Sequence, residues 1–389
     1  MKKINSFIDY ELIKVITGIR GCGKSYFLNL IIEELIKRGI SKENIVLIDF
    51  NQRQYKYVDN TLEFDLTVED LVKDIDGKLY LFFDEIQNVG GWQKSILSFT
   101  TLYDCDIYLT ASNSKILSGK LSNLLTGRYV QINMFPFSFN EFLEYKNNSQ
   151  FVDELFDEYM LYGGMPLVTS LEIENKKDYL EDSYSSILLN DIVERHNIRD
   201  VGILKRIMEL FSDNIGKPVS LANIMADDKI NVSRKTVYNY IDYLLEACLI
   251  YNVVGQNLDG KEKLLNEKFY LCNHGFLQVL VGNNFKNISC IIENIVYIEL
   301  LTRGYDITFG KVEGKEIDFV CRKTDRVIYV QVINHLDSDE VIEREFGSLL
   351  LVKDNYPKFV ISMDKFDFSQ KGIIHLNLLD FLTYKKGDI

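Results

Sequence analysis

A chain of 389 residues is long enough for two or three domains, each with its own core. With 47% hydrophobic and 26% charged residues and only 4 prolines, it has the make-up of a folded protein, which excludes the disordered and collagen-like classes. Its formal net charge of -13 repels polyanions on average and excludes a general nucleic-acid coat, although a local basic patch stays compatible with it.

The amino end, MKKINSFIDYELIK, lacks the apolar core and small-residue cleavage site of a signal peptide. No run of about 18 apolar residues follows, so no membrane partner is expected. The 6 cysteines, at Cys22, Cys105, Cys248, Cys272, Cys290 and Cys321, form no C-x-x-C pair and have no histidine at a metal-ligand spacing. Neither a disulfide framework nor a zinc site is expected, and reduced thiols suit a cytoplasmic location.

The first third alternates short β-rich runs with helical patterns. LIKVIT (12–17), NIVLIDF (44–50), LYLFF (79–83), DIYLTAS (106–112) and YVQINM (129–134) read as five strands, with helices over 24–38 and near 68–74. Apolar strands separated by helices predict a parallel sheet covered on both faces. From about residue 142 to 251 the pattern turns mostly helical. Within it, VSLANIMADDKINVSRKTVYNYIDYLLEACLIYNVV reads as helix, turn, helix and a β-rich run, which predicts a winged helix. Val237, Tyr240, Ile241, Leu244, Leu245 and Cys248 would share its buried face, with Ser233 as N-cap. The remainder mixes a helix over 291–303 with strands EIDFVCR, VIYVQVI and KFVISM, predicting an α+β unit. The expected domains are therefore 1–145, 146–265 and 266–389.

TGIRGCGKS (17–25) matches the G-x-x-x-x-G-K-[ST] pattern of a phosphate-binding loop, with a strand before it and a helix after it. In this pattern the turn over Gly18, Ile19, Arg20, Gly21, Cys22 and Gly23 aims backbone N–H groups at a β-phosphate. Lys24 then reaches the β- and γ-phosphates, the Ser25 hydroxyl holds Mg2+, and the helix running on through Tyr26 adds its positive end. About sixty residues later LYLFFDEIQNV ends a strand in two acids. Asp84 sits where a carboxylate would hold Mg2+ through water, and Glu85 where one would orient the attacking water. The polar end of the next strand, Thr110, Ser112 and Asn113, is suited to sensing a γ-phosphate. Arg128, in LLTGRYV, is a candidate for stabilising the transferring charge, on its own nucleotide or on that of a neighbouring subunit in a homo-oligomer. His196, His274, His335 and His375 are scattered and suggest no catalytic cluster.

These stretches, together with LFFDEIQNVGGWQ, LTASNSKILS, LTGRYVQINMFPFSFNEFL, YGGMP, LLNDIVERHNI and EREFGSLLLVKDNYPKFVISMD, cover nearly the whole chain. In that order they resemble bacterial and archaeal AAA-family ATPases that carry a carboxy-terminal domain of unknown function. The resemblance implies an ATPase core, a helical lid with a winged helix, and a terminal domain similar to PD-(D/E)xK nucleases (restriction-endonuclease-like). It implies ATP and Mg2+ at Gly23, Lys24, Ser25 and Asp84, hydrolysis through Glu85, and Asn113 as a sensor. It also matches Arg128 to the family's GR position and Gly163, Gly164 and Pro166 to the GGxP turn of the lid. Where such relatives often have aspartate, this chain has Asn273.

The nuclease resemblance meets an obstacle in the residues. Glu293 or Glu299 and Asp318 could supply two acids, but YVQVIN places Gln331 where another acid belongs and Ile333 where the lysine of that chemistry belongs. A working nuclease is not expected, and the terminal domain reads as a docking module for a protein partner. On the winged helix, Arg234, Lys235, Tyr238 and Asn239 would face outward as a mixture suited to DNA, with Asp242 and Glu246 opposing it. The expected activity is Mg2+-dependent ATP hydrolysis that switches DNA- or protein-binding domains; the alternatives are a nucleotide-loaded DNA- or protein-interaction switch that hydrolyses little and an ATP-regulated nuclease, which Gln331 and Ile333 disfavour.

Overall fold

A computed structural model of the chain describes residues 2–117, 125, 127–147, 150–260, 266–282 and 288–383. It divides into two compact units, one of Met1–Met134 with Glu246–Cys248 and one of Phe135–Leu245 with Leu249–Ile389.

The first unit is built on the five expected strands, β1 (Ile13–Thr17), β2 (Ile45–Asp49), β3 (Leu79–Asp84), β4 (Cys105–Ala111) and β5 (Tyr129–Asn133). They pair all in parallel in the order β2-β3-β4-β1-β5. Every residue of β1 and β3 is buried, which is why these strands read as unbroken apolar runs. Their alternate residues feed two separate cores. Leu79, Leu81 and Phe83 join the side packed by Phe64, Val68, Ile96 and Phe99. Tyr80 and Phe82 join the side packed by Leu28, Ile31 and Leu35. Among the described residues this unit holds four α-helices, α1 (Lys2–Asn5), α2 (Lys24–Lys37), α3 (Thr61–Val72) and α4 (Trp92–Leu102). The expected helix near 68–74 is the end of α3, which starts earlier because the Asn60 side chain accepts the Glu63 N–H as its N-cap. Helix α4 has no counterpart in the sequence reading.

The second unit begins with helices. The Phe139–Lys146 helix opens with a capping box of Ser138 and Glu141. Pro166 stands at the first position of the Pro166–Ser170 helix, separated from Gly163 and Gly164 by the N-cap residue Met165. Further on, helices Val201–Asp213, Leu221–Met225 and Arg234–Glu246 lead into an antiparallel hairpin of β6 (Ile250–Asn257) and β7 (Glu267–Leu271). Ser233 accepts the Thr236 N–H as the expected cap, and Val237, Tyr240 and Leu244 are buried. Cys248 lies beyond the helix with a φ of 57°.

The hairpin does not stand alone. Strand β6 also pairs in parallel with β8 (Asp306–Val312), so the two hairpin strands form one edge of a seven-stranded mixed sheet. Its order is β12-β11-β10-β9-β8-β6-β7, with β9 (Lys315–Lys323), β10 (Arg326–Val332), β11 (Lys358–Ser362) and β12 (Ile374–Asn377) completing it. The expected boundary between 265 and 266 therefore falls inside a hairpin, whose strand β6 is hydrogen-bonded to the terminal strands as well. Strands β8 and β12 and the Asp339–Leu350 helix are further additions to the sequence reading.

Candidate functional site

In a parallel sheet all strands end on the same side, and here that side gathers the loop after β1, the acids after β3 and the polar end of β4. Strand β4 lies between the other two, with Thr17 beside Ala111 and Phe83 beside Leu109.

The loop needs its glycines for two different reasons. A side-chain carbon at Gly18 would lie 2.3 Å from the Met134 carbonyl oxygen, so close approach of the chain after β5 admits no larger residue. Gly23, at φ 102°, occupies the left-handed region and starts α2 with no side-chain cap. The first-turn N–H groups of α2 are thus left without a capping side chain, and the helix dipole adds positive potential there. Cys22 is buried against Gly18, and burial pushes its thiol up, which makes it a packing residue. Ser25 and Tyr26 are exposed at the mouth.

Lys24 is buried under this loop, and its Nζ donates to the Gly18 and Ile19 carbonyls at 3.0 and 3.2 Å. It also lies 3.4 Å from Glu85 Oε1. Burial is the largest influence and works against the ammonium, but the Glu85 charge and hydrogen bond, with smaller contributions from Cys22 and Cys248, together hold the group above its usual range. At Glu85 burial favours the neutral acid, while the Lys24 charge and bonds from Gln87 and Ser112 prevail and keep the carboxyl below its usual range. Ser112 donates to Glu85 Oε2 at 2.9 Å, and Gln87 donates to the same oxygen. Glu85 itself has a φ of 57°, an uncommon conformation for a side chain of this kind, which turns it off the end of β3.

Asp84 behaves differently. Burial raises its carboxyl, against hydrogen bonds from the Ser25 and Thr110 hydroxyls. Thr110 joins both acids, since its hydroxyl donates to Asp84 and accepts the Glu85 backbone N–H at 2.8 Å. Of the three polar residues at the end of β4, Thr110 and Ser112 touch the acidic pair. Asn113 turns aside, donating to Glu246 Oε1 at 2.7 Å and accepting the Lys115 N–H. Gln87 escaped the sequence reading because it lies beyond the strand, in a 3-10 turn.

Arg128 is placed elsewhere. Its carbonyl accepts the Ile13 N–H, which puts it at the start of β1 and β5, five strand residues or about 16 Å from the loop. There it is exposed and lines a cleft of about 650 Å³ with Tyr10, Thr100 and Asp104. The expectation that Arg128 serves its own nucleotide is corrected by this geometry, since the length of β1 separates them; service to a neighbour's nucleotide is untouched.

The acids of the terminal domain also separate. Glu299 pairs with Arg303 at 2.8 Å, while Glu293 and Asp318 meet around Lys268. Gln331 accepts the Asp318 N–H, and Ile333 packs against an apolar core. Among the described residues no group of three or more histidine, cysteine, aspartate or glutamate side chains is arranged to hold a metal, and no helix is long and apolar enough to cross a membrane.

A family model described as an AAA domain matches residues 10–143, and one for a domain of unknown function matches residues 153–287. Neither describes a nuclease, so the nuclease-like part of the resemblance receives no support from them. An uncharacterised protein of Haemophilus influenzae is 36% identical over 98% of this chain and 97% of its own. Another, of Methanocaldococcus jannaschii, is 30% identical over 82% of this chain and 75% of its own. Among solved structures, the Aeropyrum pernix ORC1 protein in complex with DNA has a TM-score of 0.29 at 11% identity, covering 71% of this chain and 87% of its own. AMPPCP-bound DnaA from Aquifex aeolicus also has a TM-score of 0.29, at 15% identity, covering 63% of this chain and 85% of its own. The chain belongs to the family of its Haemophilus and Methanocaldococcus relatives, and its first unit is an AAA-type P-loop core.

Proposed function

We propose that the chain is a Mg2+-dependent ATPase that binds ATP at residues 18–26 and uses its hydrolysis to change what the second unit holds. The observation that carries this reading is the convergence of an uncapped helix start, a buried lysine and two acids of opposite pKa behaviour at the ends of three neighbouring strands. The triphosphate would accept N–H bonds from the loop and the start of α2, with Lys24 exchanging its carbonyl and Glu85 partners for phosphate oxygens. Ser25 and Asp84 already share a hydrogen bond and offer only oxygen donors, which suits Mg2+; when bound, the ion supplies neutralising charge at the phosphates. Glu85, held ionised, accepts a proton from the attacking water, and Ser112 and Gln87 orient its carboxylate.

Phosphate release by wild type, Lys24→Ala and Glu85→Gln tests the reading. Wild type that releases phosphate no faster than Glu85→Gln would exclude hydrolysis and leave a nucleotide-loaded interaction switch.

For the partner of the second unit, DNA contact is supported by the Arg234–Glu246 helix, whose Arg234, Lys235, Tyr238 and Asn239 are all exposed ahead of a hairpin, as in a winged helix. Exposed Asp242 confines that contact to the first two turns. DNA affinity measured across a salt series should fall, and its salt slope flatten, in Arg234→Ala/Lys235→Ala; affinity indifferent to both changes would point to a protein partner instead.

A further inference from the structure

Lys268, on β7, points its ammonium into a group of carboxylates from two other elements. Its side chain is fully buried, with Nζ 2.8 Å from Glu316 Oε1, 3.3 Å from Glu293 Oε1 and 3.4 Å from Asp318 Oδ1. Glu293 comes from the Ile288–Thr302 helix, and Glu316 and Asp318 are alternate residues of β9, so they point to one face of the sheet. Two of the acids are held by groups outside the cluster. The Tyr270 hydroxyl donates to Glu293 Oε1 at 2.7 Å, and the Val332 N–H donates to Asp318 Oδ2 at 2.9 Å.

Asp318 and Glu316 share one ammonium, and burial together with the Asp318 charge raises the Glu293 carboxyl to about 7 in spite of Lys268, so the three acids are short of positive charge, a mismatch that a doubly charged ion would remove. An all-oxygen set with outer hydrogen bonds fixing its orientation is the chemistry that Mg2+, Mn2+ and Ca2+ select. The ammonium occupies the point on which those oxygens converge, and a lysine on a buried strand cannot swing away without stranding the acids.

We propose that the Lys268 ammonium stands in for a divalent cation, so that the native pocket takes no metal and becomes a divalent-cation site when this side chain is made apolar. The inference is independent of the ATPase reading, and it accounts for three acids that surround one point without being arranged to hold a metal.

Mn2+ binding to the nucleotide-free full chain tests it, with wild type, Lys268→Met, Lys268→Met/Asp318→Asn and Asp318→Asn compared by calorimetry and thermal melting. The double variant subtracts Mn2+ bound elsewhere, the phosphate loop included. Lys268→Met should gain one submillimolar site that Asp318→Asn abolishes, with a melting temperature that rises on adding Mn2+, while wild type shows no Asp318-dependent binding. Wild type that binds Mn2+ through Asp318, or a folded Lys268→Met that binds none, would overturn the proposal. Lys268→Gln, smaller in its cost to packing, replaces Lys268→Met should the latter fail to fold.

Discussion

Lys24 Nζ lies 3.4 Å from Glu85 Oε1, so the residue suited to gripping phosphate and the residue suited to activating water are paired with each other. Both are buried, and each holds the other charged. Removing only the cation strands a carboxylate. Lys24→Ala is therefore expected to lose nucleotide binding and about 3 kcal/mol of stability. Adding Glu85→Gln to Lys24→Ala should return part of that stability without returning binding. Urea denaturation of the four combinations measures the coupling, and strictly additive losses would show that the pair contributes nothing.

Glu85→Gln on its own should leave nucleotide affinity within a few-fold of wild type, because the change is neutral in size and leaves Lys24 with its two carbonyl partners. Phosphate release should fall by about 100-fold or more, the usual scale for a lost general base. Affinity and release measured side by side separate this outcome from simple loss of binding.

Thr110→Val removes a hydroxyl that serves both acids while keeping the shape of the side chain. A buried Glu85 N–H then lacks its acceptor, which costs about 2 kcal/mol, and Asp84 loses a donor. Phosphate release should drop about 10-fold with nucleotide still bound. Asn113→Ala, whose partner is Glu246 and not the acidic pair, should spare release by comparison. The reverse ranking in the same assay would restore Asn113 as the sensor.

Arg128 stands at the end of the sheet away from the loop, so its variant complements a defect in another subunit or none at all. Arg128→Ala and Glu85→Gln should each be inactive alone, yet recover a sizeable fraction of wild-type phosphate release when mixed, since one mixed contact joins an intact Glu85 to an intact Arg128. Mixtures that stay inactive at concentrations where the wild type assembles would remove Arg128 from catalysis.

His274 is buried, and its Nε2–H donates to the Tyr159 carbonyl at 2.6 Å. Burial pushes its pKa down to about 4 from 6.5. Between those values the unfolded chain binds a proton that the folded chain refuses, so stability falls as pH drops from 6.5 to 4, by at most about 3 kcal/mol from this group. Glu293 acts in the opposite sense, because burial raises its carboxyl to about 7 and the folded chain gains protons there as pH falls. The difference between wild type and His274→Gln in melting temperature across this window isolates the histidine, and two parallel curves would deny it any share.

Local patterns carried much of the first unit. Unbroken apolar runs revealed β1 and β3 because both faces of those strands are buried, and the loop was legible because its glycines, Lys24 and Ser25 are adjacent in the chain. Thr110 and Ser112 were visible as a polar strand end, but nothing local said which of the three neighbours would reach the acids. Gln87 and Lys268 were missed for the same reason, since each takes its meaning from partners on other strands or helices.

The sequence by itself determined the phosphate loop, the acidic pair and the alternation of strands and helices, since these depend on residues close together in the chain and on burial periodicity. Tertiary structure alone decided that β4 also borders β1, that Arg128 is on the far end of the sheet and that β6 and β7 join the terminal strands. It also decided that a lysine fills the acidic pocket. Strand order and register bring together residues tens to hundreds of positions apart, and a pairing at that distance leaves no periodic trace in either segment.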